Sequence, residues 1–176
     1  MDATSRRIDS WQTEKGMRAI LVLSNQDTHG RYAMTSAETR ALLERWFEEV
    51  WNQGKASTIH ELFSAEGKAH GWPEPEAVLH GPAAFEEVHR LFTSAFSDIH
   101  MTIDDLFVEG GRGAVRWTCT MKHTGNSLGF AATGKSVTLP GASFMVCENG
   151  KLIDGWNFLD QTKPLQELQA AAQKLS

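Results

Sequence analysis

Residues 113–123, GAVRWTCTMKH, alternate between two kinds of side chain along one extended segment. Successive side chains of a β-strand point to opposite faces of the sheet, so this alternation predicts a strand with one apolar and one polar face. The face expected to point inward carries Val115, Trp117, Cys119, Met121 and His123. The opposite face carries Arg116, Thr118, Thr120 and Lys122.

Three further segments of the C-terminal half follow the same period of two. They are residues 100–109 (HMTIDDLFVE), 135–147 (KSVTLPGASFMVC) and 151–159 (KLIDGWNFL). The connecting pieces EGGR and ENGK are rich in residues that tight turns favour. The sequence therefore predicts a run of antiparallel strands.

The N-terminal half instead shows a helical spacing of apolar residues. Thr35 can cap a helix, and Glu38 can complete a capping box with it. The apolar face that follows stops at Gly54 and carries Leu42, Leu43, Trp46, Phe47, Val50 and Trp51. Shorter apolar patterns predict helices over residues 57–63 and 82–96, and a last helix after Asp160.

Helices that precede a run of strands are typical of an α+β fold. We expect a conical, curved antiparallel sheet with the N-terminal helices packed over its concave face, so that the two layers enclose a pocket. Residues 35–176 would form this single domain. Residues 1–34 would be an N-terminal extension that is poorly structured, or that docks on a neighbouring subunit through Trp11 and the segment AILVL.

Composition and charge exclude several classes of partner. The 176 residues carry a net charge of −5, from 17 basic and 22 acidic side chains, without a basic cluster, so a nucleic acid is not expected to bind. No apolar run approaches the roughly 18 residues that span a bilayer, and no cleavage signal follows the apolar residues near the start. We expect a cytoplasmic protein without a membrane partner, in which Cys119 and Cys147 are buried thiols.

Few ionisable side chains are expected to face the pocket. His70 lies in an extended piece before a proline-rich loop, and it is either a pocket base or a structural or exposed residue. Asp160 occupies the position of a helix N-cap, and it could instead act as a general base beside the cavity. His123 would lie at the pocket rim or, because a turn follows it, face solvent.

The last predicted strand places an amide near the pocket. The period of two puts Asn157 on the same face as Gly155, with Asp154 and Trp156 opposite. A β-bulge would reverse this assignment, so Trp156 is also a candidate for contact with a substrate. The other candidates from the residue pattern are Trp72, Trp117 and Met121.

Motifs for metals, nucleotides and serine nucleophiles are missing from the sequence. The seven histidines are scattered, without HxH or HExxH spacing, and neither GxGxxG, a Walker sequence nor GxSxG occurs. We therefore expect no metal and no cofactor. The sequence predicts a hydrophobic pocket for a small molecule, with one or two acid–base groups among aromatic walls.

Three segments together resemble a known family. ETRALLERWFEEVWNQGK, LHGPAAFEEVHRLFTSAFSDIHMTIDDLFVEGGRGAVRWTCTMKHTG and ATGKSVTLPGASFMVCENGKLIDGWNFLDQTKPLQEL are similar to the SnoaL-like polyketide cyclases, or ester cyclases, of the nuclear-transport-factor-2-like superfamily. The similarity spans about residues 36–170. It implies a conical α+β barrel, homodimers formed through the exposed sheet, no cofactor, and ring closure by intramolecular aldol condensation with an Asp of the last strand as general acid–base.

The resemblance also locates two departures from the family pattern. It places Asn157 where the cyclases carry the catalytic Asp, and Ser143 where they carry a pocket His. An amide takes up no proton at neutral pH, so Asn157 could orient a carbonyl or a water while His70 or Asp160 acts as the base. We expect a cofactor-free acid–base enzyme for a hydrophobic carbonyl or lactone compound, of the cyclase, isomerase, dehydratase or hydrolase type. The alternative is a binding or accessory protein with the same pocket and no catalysis.

Overall fold

The computed structural model describes residues 34–175, which form four α-helices, one π-helical segment and a six-stranded sheet. The helices are α1 (Ser36–Arg45), α2 (Ala56–Leu62), α3 (Gly81–Ala95) and α4 (Thr162–Ala172), and the π-helical segment is Trp46–Asn52. The strands are β1 (Phe63–His70), β2 (Val78–His80), β3 (Phe96–Glu109), β4 (Arg112–His123), β5 (Ser136–Glu148) and β6 (Lys151–Leu159). Within these residues, no helix combines the length and hydrophobicity needed to cross a membrane.

The first helix begins at the predicted capping box. The Thr35 backbone N–H donates to a Glu38 carboxylate oxygen at 2.8 Å, and the Glu38 N–H donates to the Thr35 hydroxyl at 3.3 Å. The sequence predicts one regular helix up to Gly54, but the last turns are π-helical, with the Gln53 N–H bonded to the Glu48 carbonyl. A π-helical turn is wider than an α-helical turn, and such turns are frequent at functional sites.

The sheet has the strand order β2-β1-β6-β5-β4-β3. The predicted α+β fold with helices over a curved sheet is confirmed, but the sheet is mixed, since β1 runs parallel to β6. The sequence pattern identified neither β1 nor β2 as a strand. Because β1 follows α2 and pairs with the last strand of the chain, its direction depends on a long-range pairing that the local pattern does not contain.

A bulged β3 and one asparagine connect the helical layer to the sheet. The pairing of β3 with β4 shifts register twice, and Asp98 of β3 has φ 51°. Asn52, at the end of the π-helical segment, accepts from the Met101 N–H at 2.7 Å and donates to the Met101 carbonyl at 3.2 Å. Bulges bend a strand and increase its twist. The paired amide therefore holds the π-helical segment across the concave side of the bent strand.

The core lies between the concave face of the sheet and the helices. All five residues that the sequence predicts on the inward face of 113–123 are buried. Met34, which the sequence places in the N-terminal extension, is buried beside Gly111 in the turn between β3 and β4. The rest of the extension, including the predicted docking segment, lies outside the described residues.

Candidate functional site

A cavity of about 70 Å³ lies inside the cone, between the sheet and the helical layer. We call it the inner cavity. Eight of its nineteen lining residues are aromatic, and they come from both layers: Trp46, Phe47, Trp51, Phe63, Trp72, Phe85, Phe92 and Trp117. The polar side chains on its sheet side are Ser143, Asn157 and, at the exposed edge, Lys68. The inner cavity is thus an apolar space with a small polar region on one wall.

That polar region is a chain of hydrogen bonds across four neighbouring strands, β4, β5, β6 and β1. The Trp117 indole N–H donates to the Ser143 hydroxyl at 3.0 Å, and this hydroxyl donates to Asn157 Oδ1 at 2.9 Å. The Asn157 Nδ2 then donates to the backbone carbonyl of His70 at 3.1 Å. The His70 carbonyl can only accept, so it fixes which end of the Asn157 amide is the oxygen.

One donor of this chain remains for a ligand. The single proton of the Ser143 hydroxyl is used by Asn157, and the single indole proton of Trp117 is used by Ser143. The Asn157 amide has two N–H groups, of which His70 takes one. The second N–H, on a residue that lines the inner cavity, can therefore donate to a carbonyl or enolate oxygen of a bound molecule.

Two glycines permit the close packing around this chain. A Cβ at Gly141 of β5 would collide with the Trp117 ring, which lies against the backbone there. A Cβ at Gly71, which has φ 78°, would collide with the Asn157 carbonyl. Any larger residue at either position would displace a member of the hydrogen-bonded chain.

The π-helical segment supplies the aromatic wall opposite Asn157. The ring centroid of Trp51 lies 5.8 Å from that of Trp72 and 5.8 Å from that of Phe92. His89 of α3 packs against Trp51 and donates from Nε2 to the Val50 carbonyl at 2.9 Å. Burial lowers the pKa of His89, with a smaller opposing effect from the Val50 bond, so the buried imidazole is neutral and positions Trp51.

A second cavity, of about 160 Å³, adjoins the first and is called the outer cavity. Trp72, Phe92 and Leu139 line both cavities and therefore form the wall between them. The remaining wall of the outer cavity is mainly aliphatic and includes α4 residues Leu165 and Leu168. Gln161, just before α4, donates to the Pro73 carbonyl at 2.9 Å and joins that helix to the loop that carries Trp72.

His70, predicted as a pocket base, has its side chain on the outer face of the sheet. Its ring stacks on Trp156, with centroids 4.1 Å apart, and its Nε2 lies 2.9 Å from Asp154 Oδ1. The sequence allowed this side chain to be either a pocket base or a structural residue. The first alternative does not hold, because His70 and Trp156 are register partners whose side chains both face outward. Only the backbone carbonyl of His70 reaches the hydrogen-bonded chain. Trp156 likewise lines neither cavity.

Asp160 and His123 also lie away from the inner cavity. Asp160 is exposed, and its Oδ1 accepts from the Thr162 N–H at 3.1 Å, while Gln161 is the N-cap residue of α4. His123 is fully buried, accepting from the Thr133 N–H at Nδ1, and burial lowers its pKa. The geometry therefore places neither residue at the pocket rim. Of the other predicted contact residues, Trp72, Trp117, Ser143 and Asn157 line the inner cavity, and Met121 lines the outer one.

Among the described residues that line the inner cavity, no carboxylate and no imidazole is present. Burial raises the pKa of the Cys119 thiol to about 12, so this sulfur is a neutral thiol at physiological pH. Lys68 is an exposed residue at the cavity edge. No group of three or more His, Cys, Asp or Glu within residues 34–175 is arranged to hold a metal ion.

The sequence predicts aromatic walls and the contact residues Trp72 and Trp117, but it does not assign the aromatic residues of the helical layer to the cavity. The residues Trp46, Phe47 and Trp51 were interpreted as the buried face of an ordinary helix, because an apolar helical spacing does not distinguish a core from a cavity wall. Phe63 and Phe92 were missed in the same way. A concentration of six Trp and nine Phe in 176 residues was the available signal.

Solved structures of similar fold come from several bacteria. A protein of Jannaschia sp. CCS1 classed with the SnoaL-like polyketide cyclases has a TM-score of 0.68 at 18% identity, covering 77% of this chain and 94% of its own. A protein of Acidithiobacillus ferrooxidans classed as a polyketide cyclase has a TM-score of 0.65 at 25% identity, covering 77% and 96%. AclR of Streptomyces galilaeus, classed as a hydroxylase, has a TM-score of 0.68 at 22% identity, covering 77% and 83%.

A family model identifies the chain more directly than these folds do. No curated protein matches the sequence. The model of the SnoaL-like polyketide cyclases matches residues 41–168, which include every helix and strand described above except the first half of α1 and the end of α4. The match covers more than half of the chain, and the chain belongs to the SnoaL-like polyketide cyclase family.

Proposed function

We propose that this protein is a cofactor-free enzyme of the cyclase type that acts on a hydrophobic carbonyl or lactone compound bound in the inner cavity. One observation carries the proposal: the Asn157 amide is fixed at both ends, by Ser143 and by the His70 carbonyl, and retains one N–H in a mainly apolar space. A fixed donor in a site that excludes water stabilises developing negative charge more effectively than the same donor in water.

The cavity supports ring closure in two ways. The aromatic walls confine a flexible chain, which lowers the entropic cost of bringing its two reacting carbons together. The free N–H of Asn157 donates to the carbonyl oxygen that becomes negative as the new carbon–carbon bond forms. That oxygen then takes a proton from water, which balances the proton that the attacking carbon has released to water.

In the proposed reaction, water takes the proton from the substrate carbon, whereas in an acid–base dyad a side chain does so. No carboxylate or imidazole lines the inner cavity among the described residues. The proposed substrate therefore contains a C–H group between two carbonyls, which is acidic enough to release its proton to water. Asn157 acts on the resulting enolate or on the carbonyl under attack, and is not itself a base.

A panel of hydrophobic β-keto esters and lactones tests the proposal. Product formation would be followed by chromatography and mass spectrometry for wild type, Asn157→Leu and Asn157→Gln. We expect Asn157→Leu to lower the rate by on the order of a hundredfold, as loss of a single oxyanion donor does, and Asn157→Gln to lower it less. Equal rates for wild type and Asn157→Leu on every compound would contradict the proposal.

The second candidate function is a carrier or sensor without catalysis. The absence of a carboxylate and of an imidazole from the described lining of the inner cavity favours it. Titration calorimetry with the same compounds, followed by recovery of the ligand, separates the two functions. Tight binding of a carbonyl compound that is recovered unchanged after prolonged incubation would establish the carrier and exclude the enzyme for that ligand.

A further inference from the structure

The inner and outer cavities differ in chemistry as well as in position. The inner cavity contains the hydrogen-bonded chain that ends at Asn157. The outer cavity has two polar side chains in its lining, Ser127 and Gln161, and each donates to a backbone carbonyl, of Leu91 and of Pro73. Gln161 and Asn157 each keep a second amide N–H, but of these two only Asn157 is held at both its nitrogen and its oxygen, so the inner cavity presents the donor of fixed orientation.

The two cavities also share a wall that consists of three side chains. Trp72 and Phe92 are partly exposed rather than buried, and their ring centroids are 5.8 Å apart. Leu139 of β5 completes the wall from the sheet side. A molecule that extends past these side chains passes from an aromatic space into an aliphatic one of larger volume.

Resting on the proposed function, we propose that the outer cavity is a subsite for an alkyl tail of the same ligand. The substrate class is then an amphiphile with a carbonyl head at Asn157 and an unbranched aliphatic tail between α3 and α4. Aliphatic walls recognise a chain through its buried area, at about fourfold in affinity for each methylene removed from water.

Matched ligands test the subsite. The probes are 4-methyl-, 4-butyl- and 4-octylacetophenone, which share one carbonyl head and differ only in tail length. Their dissociation constants would be measured by quenching of tryptophan fluorescence. We expect affinity to rise by about fourfold per added methylene until the outer cavity is filled. Equal affinities across the series would overturn the subsite.

Variants of the outer wall separate this effect from non-specific hydrophobic binding. Leu165→Gln on α4 and Val88→Gln on α3 each place an amide in the outer cavity, from opposite sides. We expect each to reduce the octyl-to-methyl affinity ratio by about tenfold, since a buried polar group without a partner weakens binding by roughly that factor. Leu175→Gln, which alters an exposed leucine beyond α4, is the matched control and should leave the ratio unchanged.

The same experiment distinguishes failure of the subsite from failure of the proposed function. If Asn157→Leu weakens all three ligands equally but tail length has no effect, the subsite is refuted and the carbonyl site stands. If tail length matters and Leu165→Gln or Val88→Gln abolishes that effect, while Asn157→Leu changes nothing, the subsite stands and the carbonyl site is refuted. Thermal unfolding of both glutamine variants would check that each remains folded. A tail effect that survives in the two folded variants would overturn the subsite.

Discussion

The side-chain amide of Asn157 donates to the backbone carbonyl of His70 at 3.1 Å, and so connects the inner wall of the last strand to the neighbouring parallel strand. The side chain of His70 points the other way, towards Trp156 and Asp154 on the outer face. A single residue thus contributes its carbonyl to the hydrogen-bonded chain and its side chain to the opposite surface. The orientation of Asn157 depends on how β1 is held against β6.

Asn157→Asp tests this relationship through pH. A carboxylate at this position would face the His70 carbonyl oxygen in an apolar cavity, and both effects raise the pKa of the new carboxyl group. A carboxyl with a raised pKa in the native state destabilises the protein increasingly as the pH rises above its unfolded pKa of about 3.9. We expect chemical denaturation to show a small loss of stability at about pH 4 and a larger one, about 1–3 kcal/mol, at about pH 7.

The same variant should also slow ring closure. When the carboxyl is protonated, its one proton goes to the His70 carbonyl, and none remains for a ligand. When it is ionised, its charge opposes the negative charge that develops on the substrate oxygen. Steady-state rates on β-keto esters should therefore fall at every pH. Faster ring closure by Asn157→Asp would show instead that the site works with a carboxylic acid.

Ser143→Ala breaks the hydrogen-bonded chain at its middle. The substitution leaves the buried Trp117 N–H without its acceptor and Asn157 Oδ1 without its donor. We expect the free energy of unfolding to fall by about 1–3 kcal/mol, the usual effect of leaving a buried polar group unpaired. Ser127→Ala removes a hydroxyl that is exposed and bonded at 3.3 Å, and this control should change stability by less than about 0.5 kcal/mol. Equal losses of unfolding free energy in Ser143→Ala and Ser127→Ala would show that the hydrogen-bonded chain contributes little to stability.

The parts of this fold that depend on local pattern could be predicted from the sequence. The period of two in residues 113–123 identified the buried face of β4, and the pair Thr35 and Glu38 located the start of α1. Asn157 was placed on the cavity side of β6 for the same reason, because alternation continues from Gly155 to Asn157.

The parts that depend on distant contacts could not be predicted. His70 faces outward because β1 pairs with β6 in a register that aligns it with Trp156, and residues 63–70 contain no signal for that partner. The π-helical turn at residues 46–52 arises in a segment whose apolar spacing fits an α-helix equally well. For these reasons the contribution of residues 46–52 to the aromatic wall and the outward position of His70 required the structure.

His89 and His123 should make stability depend on pH near neutrality. Burial lowers the pKa of both, so each binds fewer protons in the native state than in the unfolded state. The free energy of unfolding is therefore unaffected by these two groups above their unfolded pKa of about 6.5. It falls as the pH drops below that value, because the unfolded state then binds more protons than the native state. Glu49, whose pKa is lowered to about 2 mainly by its bond with Arg45, acts in a separate window below about pH 4.5.

His89→Gln checks the histidine contribution. Its amide can still donate to the Val50 carbonyl but does not titrate, so the fall in unfolding free energy between about pH 7 and pH 5.5 should become shallower. Glu86 favours the protonated form of His89 and slightly reduces the effect. His80→Gln, at an exposed position, is the matched control for denaturant titrations across this range. An unchanged slope in His89→Gln would contradict the assignment.

The outer face of the sheet carries a row of apolar side chains in register. From β3 to β2, the aligned positions are Phe107, Ala114, Phe144, Trp156, His70 and Val78. Phe107, Phe144 and Trp156 are 71%, 56% and 49% exposed, and Phe158 beside them is 55% exposed. Soluble monomers rarely expose a contiguous apolar surface of this kind. A row that crosses the whole sheet is also self-complementary under a two-fold axis, which fits a second copy of the same chain.

We therefore propose a homodimer formed through this row, and Phe144→Glu tests it. The substitution places a charge at the centre of the row, where a dimer would have to bury it without a partner, so the association constant of the dimer should fall by several orders of magnitude. Light scattering and sedimentation at micromolar concentration should show a dimer for wild type and a monomer for Phe144→Glu. Leu175→Glu introduces the same charge at an exposed leucine outside the row and should remain dimeric. A wild-type monomer at these concentrations would contradict the dimer. A dimer that survives Phe144→Glu would show that the outer face of the sheet is not its interface.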